Sequence, residues 1–248
     1  MARDVFAEQT SRTLTPAPKP PQNARMKVTI VNTGVGNVKS VANMARRVKN
    51  AGEVDITISD DPGQILSADT LILPGVGSFD AAMTRLTDKG LLAVLDEAVN
   101  QRGAPVLGLC LGMQLLAGGS DEGTKAGLGW IPGRFKKLKT SMQLRVPIRV
   151  PHMGWNIVNE TENCVLYDGM GEEVRFYFDH SYALQLEEPS YYCGKVNHGV
   201  TFAAGIRSGN IFGVQFHPEK SHRFGLTLFE NFLRYAAQRT NEPMEASS

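Results

Sequence analysis

Cysteine is scarce in this 248-residue chain: Cys110, Cys164 and Cys193 are an odd number at wide spacings. That pattern argues against a disulfide framework or a thiolate zinc site, and a reducing compartment, the cytoplasm, is the simpler reading. Net charge is nearly absent as well. Lys and Arg total 26 against 25 Asp and Glu, leaving +1, which removes the main argument for nucleic acid or an anionic membrane as a partner. No apolar run reaches bilayer length: the longest, Val106 to Leu116, contains Gln114 and two glycines. What remains is ordinary globular usage, 42% hydrophobic and 21% charged, in a chain long enough for one large domain or two small ones.

Residues 1–25 stand apart. Four prolines fall between Thr13 and Pro21 with no apolar period to bury, so a disordered or extended tail is expected. The segment lacks the apolar region of a secretory signal, and Asp4 and Glu8 argue against a transit peptide. Residues 26–240 read as a single folded domain, and 241–248 as a flexible C-terminal tail.

The folded part opens on the β-branched run Lys27–Val31. A Gly34-Val-Gly36 turn follows, then Val38, Val41, Ala42, Ala45 and Val48 at helical offsets. Further strands are expected at Val54–Ile58, Thr70–Leu73 and Pro105–Leu109, with a helix carrying Leu91, Leu92, Leu95, Ala98 and Val99 between the last two. Strands alternating with helices predict right-handed βαβ units, and thus a mostly parallel sheet flanked by helices. Beyond about Gly127, short strand-like runs at 135–139, 155–158, 175–178, 182–186, 191–196, 201–207 and 211–216 predict an antiparallel extension of that sheet. A last helix buries Phe229, Phe232, Leu233 and Ala236.

Chemistry concentrates in two runs. Gly108-Leu-Cys110-Leu-Gly112, between a buried strand and an apolar helix starting near Met113, is a nucleophile elbow with sulfur in place of hydroxyl. Such a turn needs small residues two positions either side of the nucleophile, and the following backbone N–H, that of Leu111, faces a developing oxyanion. A buried structural cysteine at a close strand–helix crossing is the competing explanation. A thiol nucleophile needs a base, and His217 ends the strand Gly213–Phe216 in His217-Pro-Glu219. If the chain stays extended through Pro218, His217 and Glu219 share a face and Glu219 orients the imidazole; a plain loop is the alternative. Both runs lie at the carboxyl ends of expected strands, where α/β sheets carry their sites.

Cys110-Leu-Gly-Met-Gln114 and His217-Pro-Glu219 resemble the class I (triad-type) glutamine amidotransferases, which implies their flavodoxin-like fold. Within that family the likeness is greatest to the glutaminase subunits of imidazole glycerol phosphate synthase. It runs through Leu73-Pro-Gly-Val-Gly77, Pro151-His-Met-Gly-Trp-Asn156, His180-Ser-Tyr182 and His217-Pro-Glu-Lys-Ser221. Anthranilate and GMP synthase relatives typically carry a proline where this chain has Gly77 and a histidine where it has Met113.

The resemblance implies that Cys110 attacks the side-chain amide of L-glutamine and that His217, oriented by Glu219, handles the protons. It also implies that Val76, Gly77 and Leu111 form the oxyanion site, the Val76 peptide needing reorientation before it can donate. Gly75, Gln114, Glu122 and Ser181 then bind glutamine. The implied partner is a (β/α)₈-barrel cyclase, met by Asn37, Ser40, Met153, Trp155 and Lys220, and neither metal nor organic cofactor is required. Taken without the resemblance, Glu122 is equally an ordinary surface acid and Trp155 a core aromatic.

The remaining runs are weaker. Gly34-Val-Gly36 is no dinucleotide fingerprint, because Lys39 stands where the third glycine belongs. Cys164 and Cys193 are assigned to structure, and His180 and His198 have no metal-ligand spacing. A stand-alone thiol hydrolase of esters or lactones and a binding protein with a vestigial site are the rival functions. α/β-Hydrolases, however, place the acid before the histidine and well apart from it, and here all three members of the triad are present.

Overall fold

A computed structural model of the chain describes residues 25–34, 36–49, 52–139, 148–159, 164–186 and 188–241. The expected tails, 1–25 and 241–248, lie outside these residues except for Arg25 and Asn241.

The first half is a βα series: β1 (Met26–Val31), α1 (Val38–Arg46), β2 (Val54–Ser59), α2 (Pro62–Leu66), β3 (Thr70–Gly75), α3 (Phe79–Asp88), α4 (Leu91–Asp96), β4 (Val106–Cys110) and α5 (Leu111–Leu116). Helix α4 runs on through a π-helical turn to Gln101. Caps set the helix starts: the side chains of Asn37, Asp61 and Ser78 accept from the backbone N–H groups of Ser40, Gln64 and Ala81. Helix α3 adds to the sequence expectation. Phe79, Ala82, Met83 and Leu86 are buried at helical spacing, directly after a Pro-Gly-Val-Gly run that reads as loop.

The second half supplies β5 (Lys136–Lys137), β6 (His152–Ile157), β7 (Arg175–His180), β8 (Tyr182–Ala183), β9 (Lys195–Asn197), β10 (Thr201–Ala203), β11 (Gly205–Ser208), β12 (Ile211–Val214) and α6 (His222–Asn241). The main sheet has six strands in the order β11-β12-β4-β3-β1-β2, parallel except for β11. The expected antiparallel extension of this sheet is therefore corrected. Only β11 extends it, while β5–β8, β6–β7 and β9–β10 form three separate antiparallel pairs. Alternation in sequence identifies a strand but not its partner, and isolated bridges such as Asn159–Lys195 and Tyr192–Ile206 join these pieces instead of a continuous ladder.

Alternate residues of the parallel strands feed two cores. Val28, Ile30, Ile72, Leu107 and Leu109 join α1, α6 and a group of phenylalanines that includes Phe176, Phe212, Phe216 and Phe232. Val31, Leu71, Leu73 and Val106 join α3, α4 and α5. Both faces are covered, as the uninterrupted apolar strands require.

One expectation about cysteine fails here. Cys164 and Cys193, both buried, form a disulfide with Cα atoms 5.2 Å apart. Their separation of 29 residues carries no hint of this; the contact follows from Cys193 N–H bonding Gly205 O and Lys195 pairing with Asn159, which returns the chain to residue 164. Cys110 is the free cysteine.

Candidate active site

Three neighbouring strands of the main sheet, β12, β4 and β3, end around one cavity of about 350 Å³. Val76, Gly77, Cys110, Leu111, Gln114, Glu122, Ser181, His217 and Lys220 line it, together with Pro151, Asp179, His180 and Tyr182.

Cys110 is the last residue of β4 and stands opposite Gly75 of β3 in the sheet register. Its backbone lies at φ 52°, ψ −107°, a left-handed conformation that a non-glycine residue adopts only under strain. Helix α5 begins at once, at Leu111 rather than near Met113. The elbow's glycines have a steric cause. A Cβ on Gly108 would lie 2.8 Å from the carbonyl carbon and oxygen of Gly112, and one on Gly112 would lie 2.8 Å from the carbonyl carbon of Leu73 and closer still to its oxygen. The helix therefore seats directly on two strands, and the thiol is held at its start.

His217 follows β12 and is buried. Its Nδ1 bonds Glu219 Oε1 at 2.8 Å, and Cys110 is close enough to help hold the ring's proton. The expectation that an extended chain brings His217 and Glu219 together is corrected: Pro218–Lys220 forms a 3₁₀ turn, and that turn swings the carboxylate back onto the imidazole. The backbone of His217 is fastened to β7, its N–H donating to Tyr177 O, while Ser221 Oγ donates to His217 O and accepts from Tyr177 N–H. Burial works to lower the His217 pKa, but the hydrogen bonds to Cys110 and Glu219 and the charges of both outweigh it, and the ring is pushed up to about 10. Glu219 Oε2 is buried with no hydrogen-bond partner, so the imidazolium is what balances this carboxylate.

Two buried amides escaped the sequence reading or were placed only by resemblance. Gln215, fully buried, directs Nε2 at Cys110 Sγ (3.8 Å) and receives Gln114 Nε2 on its Oε1 at 3.5 Å. Its signal was present: Gln215 precedes His217 by two in an otherwise apolar strand, so both face the same side. Gln114 Oε1 is buried without a partner and belongs to a cavity-lining residue; an orphaned buried acceptor facing a cavity points to a ligand donor.

His180, in the cavity wall, and His152 behind it are joined Nε2 to Nδ1 at 3.0 Å. Burial above all lowers them, His152 to about 3 and His180 to about 4, so both are neutral at pH 7. The bonds then set the tautomers: His180 Nδ1–H donates to Tyr182 O, and His152 Nδ1–H donates to His180 Nε2. Among the described residues, no group of three or more His, Cys, Asp or Glu could hold a metal ion.

The other expected positions divide. Gly75 lies just behind the cavity, in register with Cys110. Glu122 is on its rim, with Oε2 accepting from Phe79 N–H at 2.9 Å. Asn37 and Ser40 are bonded to each other as the α1 cap, and Gly36 beside them packs on Gly75 and Val76. Val76, in the cavity wall, and Met153 and Trp155 on β6 expose 42%, 61% and 48% of their surface, and Met153 pairs with the cavity-lining Asp179 of β7. Trp155 stacks on His222 and therefore is not the core aromatic that its residue type alone would favour.

The sequence family described as glutamine amidotransferase class-I matches residues 29–236. The chain belongs to this family. It is 41% identical over 205 residues to imidazole glycerol phosphate synthase subunit HisH of Bdellovibrio bacteriovorus, covering 83% of this chain and 98% of that protein. The HisH subunit of Moorella thermoacetica is 45% identical over 206 residues, with 83% and 93% covered. Among solved structures, the glutaminase domain of Trypanosoma brucei CTPS with bound acivicin superposes with a TM-score of 0.59 at 15% identity, over 86% of this chain and 94% of that one. A solved glutamine amidotransferase gives 0.60 at 15%, with 84% and 98% covered. At that identity these two establish the fold. As an amidotransferase the chain is an enzyme.

Proposed function

We propose that the chain is the glutaminase subunit of imidazole glycerol phosphate synthase. It hydrolyses L-glutamine and hands the ammonia to a (β/α)₈-barrel cyclase, which converts the ribulosyl nucleotide PRFAR to imidazole glycerol phosphate and AICAR in histidine biosynthesis. The observation that carries the mechanism is that Cys110 and His217 line one cavity, with Glu219 bonded to His217 Nδ1.

Cys110 attacks the glutamine side-chain carbonyl while its oxygen takes backbone N–H groups of Leu111 and of the Val76–Gly77 loop. His217 gives its proton to the departing ammonia, leaving a γ-glutamyl thioester. Water, deprotonated by His217, then releases glutamate and restores the thiol. Gln114, Glu122 and Ser181 hold the amino-acid end, with Gly75 letting the loop lie close. No cofactor enters these steps. At neutral pH free ammonia is mostly ammonium and a poor nucleophile, which is the chemical reason for generating it inside a closed complex. The exposed Val76, Met153 and Trp155 offer apolar side chains to such a partner, and the reading extends its interface to Lys220, Asn37 and Ser40.

Residues 26–240 act as one unit in this reading. No helix of the described residues is long and apolar enough to cross a membrane, and we place the protein in the cytoplasm.

The deciding experiment measures glutamate release with and without the purified cyclase and PRFAR. Turnover of glutamine in the complex supports the proposal; ester hydrolysis without glutaminase activity favours a thiol hydrolase and overturns it. Trp155→Ala leaves thermal stability nearly unchanged and weakens cyclase binding by about 10-fold or more, as expected of an exposed aromatic anchor, which a calorimetric titration reads.

The His217 shift gives a pH expectation. A raised pKa means that the proton's contribution to stability is complete below the ordinary imidazole value of about 6.5 and is lost as pH rises through about 10. Glutaminase kcat/KM accordingly falls on the alkaline side near pH 10. Glu219→Gln removes one of the charges holding that proton and moves the alkaline limb to lower pH; a limb that stays in place would remove Glu219 from this role.

A further inference from the structure

The loop that carries Glu122 is gripped from two sides by opposite charges. From α3, the Asp80 carboxylate accepts the backbone N–H of Thr124 at 2.9 and 3.1 Å and that of Lys125 at 3.0 Å, with Thr124 Oγ1 donating at 3.3 Å. From the far side, the Arg134 guanidinium donates to the carbonyl oxygens of Ser120 and Gly123 and pairs with Asp121. The carboxylate thus takes the loop's donors and the guanidinium its acceptors. Between them, Glu122 reaches back to the first turn of α3, where Phe79 N–H holds its Oε2. Residues 79–80 and 122–125 grasp each other reciprocally. Gly123 belongs to the same arrangement: a Cβ there would lie 2.8 Å from Asp80 Oδ2 and closer still to Oδ1 and Cγ, so any side chain displaces the carboxylate. The backbone N–H of Thr124, then that of Lys125, holds the Asp80 carboxyl below the usual carboxylate range.

We propose that Asp80 and Arg134 are positioning residues for substrate selection: they hold Glu122 where its carboxylate meets the α-ammonium of the substrate, and so make the site select α-amino acid amides over amides lacking that group. The inference rests on the glutaminase reading of the cavity. Neither residue lines the cavity, and neither touches the reacting atoms. Their effect is confined to the ammonium end of the substrate, about which the thioester chemistry at Cys110 is indifferent.

The test compares two substrates in the complete complex with the cyclase: L-glutamine, and glutaramate, which has the same amide and carboxylate ends of the chain but no amino group. In Asp80→Asn, the amide keeps one acceptor and turns a donor toward the loop's N–H groups. KM for glutamine rises about 10-fold, the scale of one charge-assisted hydrogen bond, while kcat for glutamine and kcat/KM for glutaramate stay within about 2-fold. Gly123→Ala, which changes no charge, gives the same split, and Asp80→Asn adds nothing once Glu122→Gln is present. Equal losses on both substrates mean a merely structural role and overturn the proposal, as does an unchanged KM for glutamine. Should Asp80→Asn fail to fold, Arg134→Lys, which keeps the charge but loses the fork, carries the same expectation. A wild-type complex that cleaves neither substrate instead refutes the glutaminase reading itself, so the two failures are told apart.

Discussion

Cys110→Ala abolishes glutamine hydrolysis: turnover in the cyclase complex falls by about 10⁴- to 10⁶-fold, the loss seen when a covalent nucleophile is removed from a preorganised triad. No other side chain lining the cavity is a thiol, so nothing replaces the thioester step. The fold and cyclase binding persist, because alanine keeps the backbone and removes only the sulfur, whose hydrogen-bond donor is the Gln215 amide. A companion variant separates chemistry from strain. Alanine retains the cost of φ 52° at this position, whereas Cys110→Gly relieves it. Cys110→Gly is therefore equally inactive yet melts above Cys110→Ala. Measured turnover in Cys110→Ala that approaches wild type would end the nucleophile assignment, and a lower melting point for the glycine variant would remove strain from the account of the elbow.

The second large effect is on stability. Gly112→Ala drives a methyl group into the Leu73 carbonyl, and Gly108→Ala drives one into Gly112 and Met113 N. Each contact is with backbone, which has no rotamer into which to retreat, so each costs about 3 kcal/mol, the upper end for overpacking. For a chain of this size that lowers Tm by about 6–12 °C, readable by calorimetry. The same displacement lifts α5 from β3 and β4 and carries Cys110 away from His217, so activity falls further than the lost stability explains. Because both methyls push on the same helix start, the double variant costs less than the sum. A Gly112→Ala protein with unaltered Tm would show that the helix does not seat on the strands as described.

The sequence by itself determined the features that are local. Buried β-branched runs dictate the parallel strands, a three-and-four spacing dictates α1 and α6, and the need for a sharp turn dictates glycines around Cys110. Each depends on residues within a few positions, where period and backbone freedom suffice. The meeting of Cys110 with His217 was legible only as an expectation, because it depends on β12 lying beside β4.

Tertiary structure alone decided the rest. The 3₁₀ turn, not an extended chain, brings Glu219 to His217; the return of β9 to residue 159 joins Cys164 to Cys193; and α3 meets the loop of Glu122 across forty-odd residues. Spacing along a chain cannot encode which strand becomes whose neighbour. That choice is made by burial of both sheet faces at once, and it places one carboxylate, Asp80, where only its surroundings reveal its use.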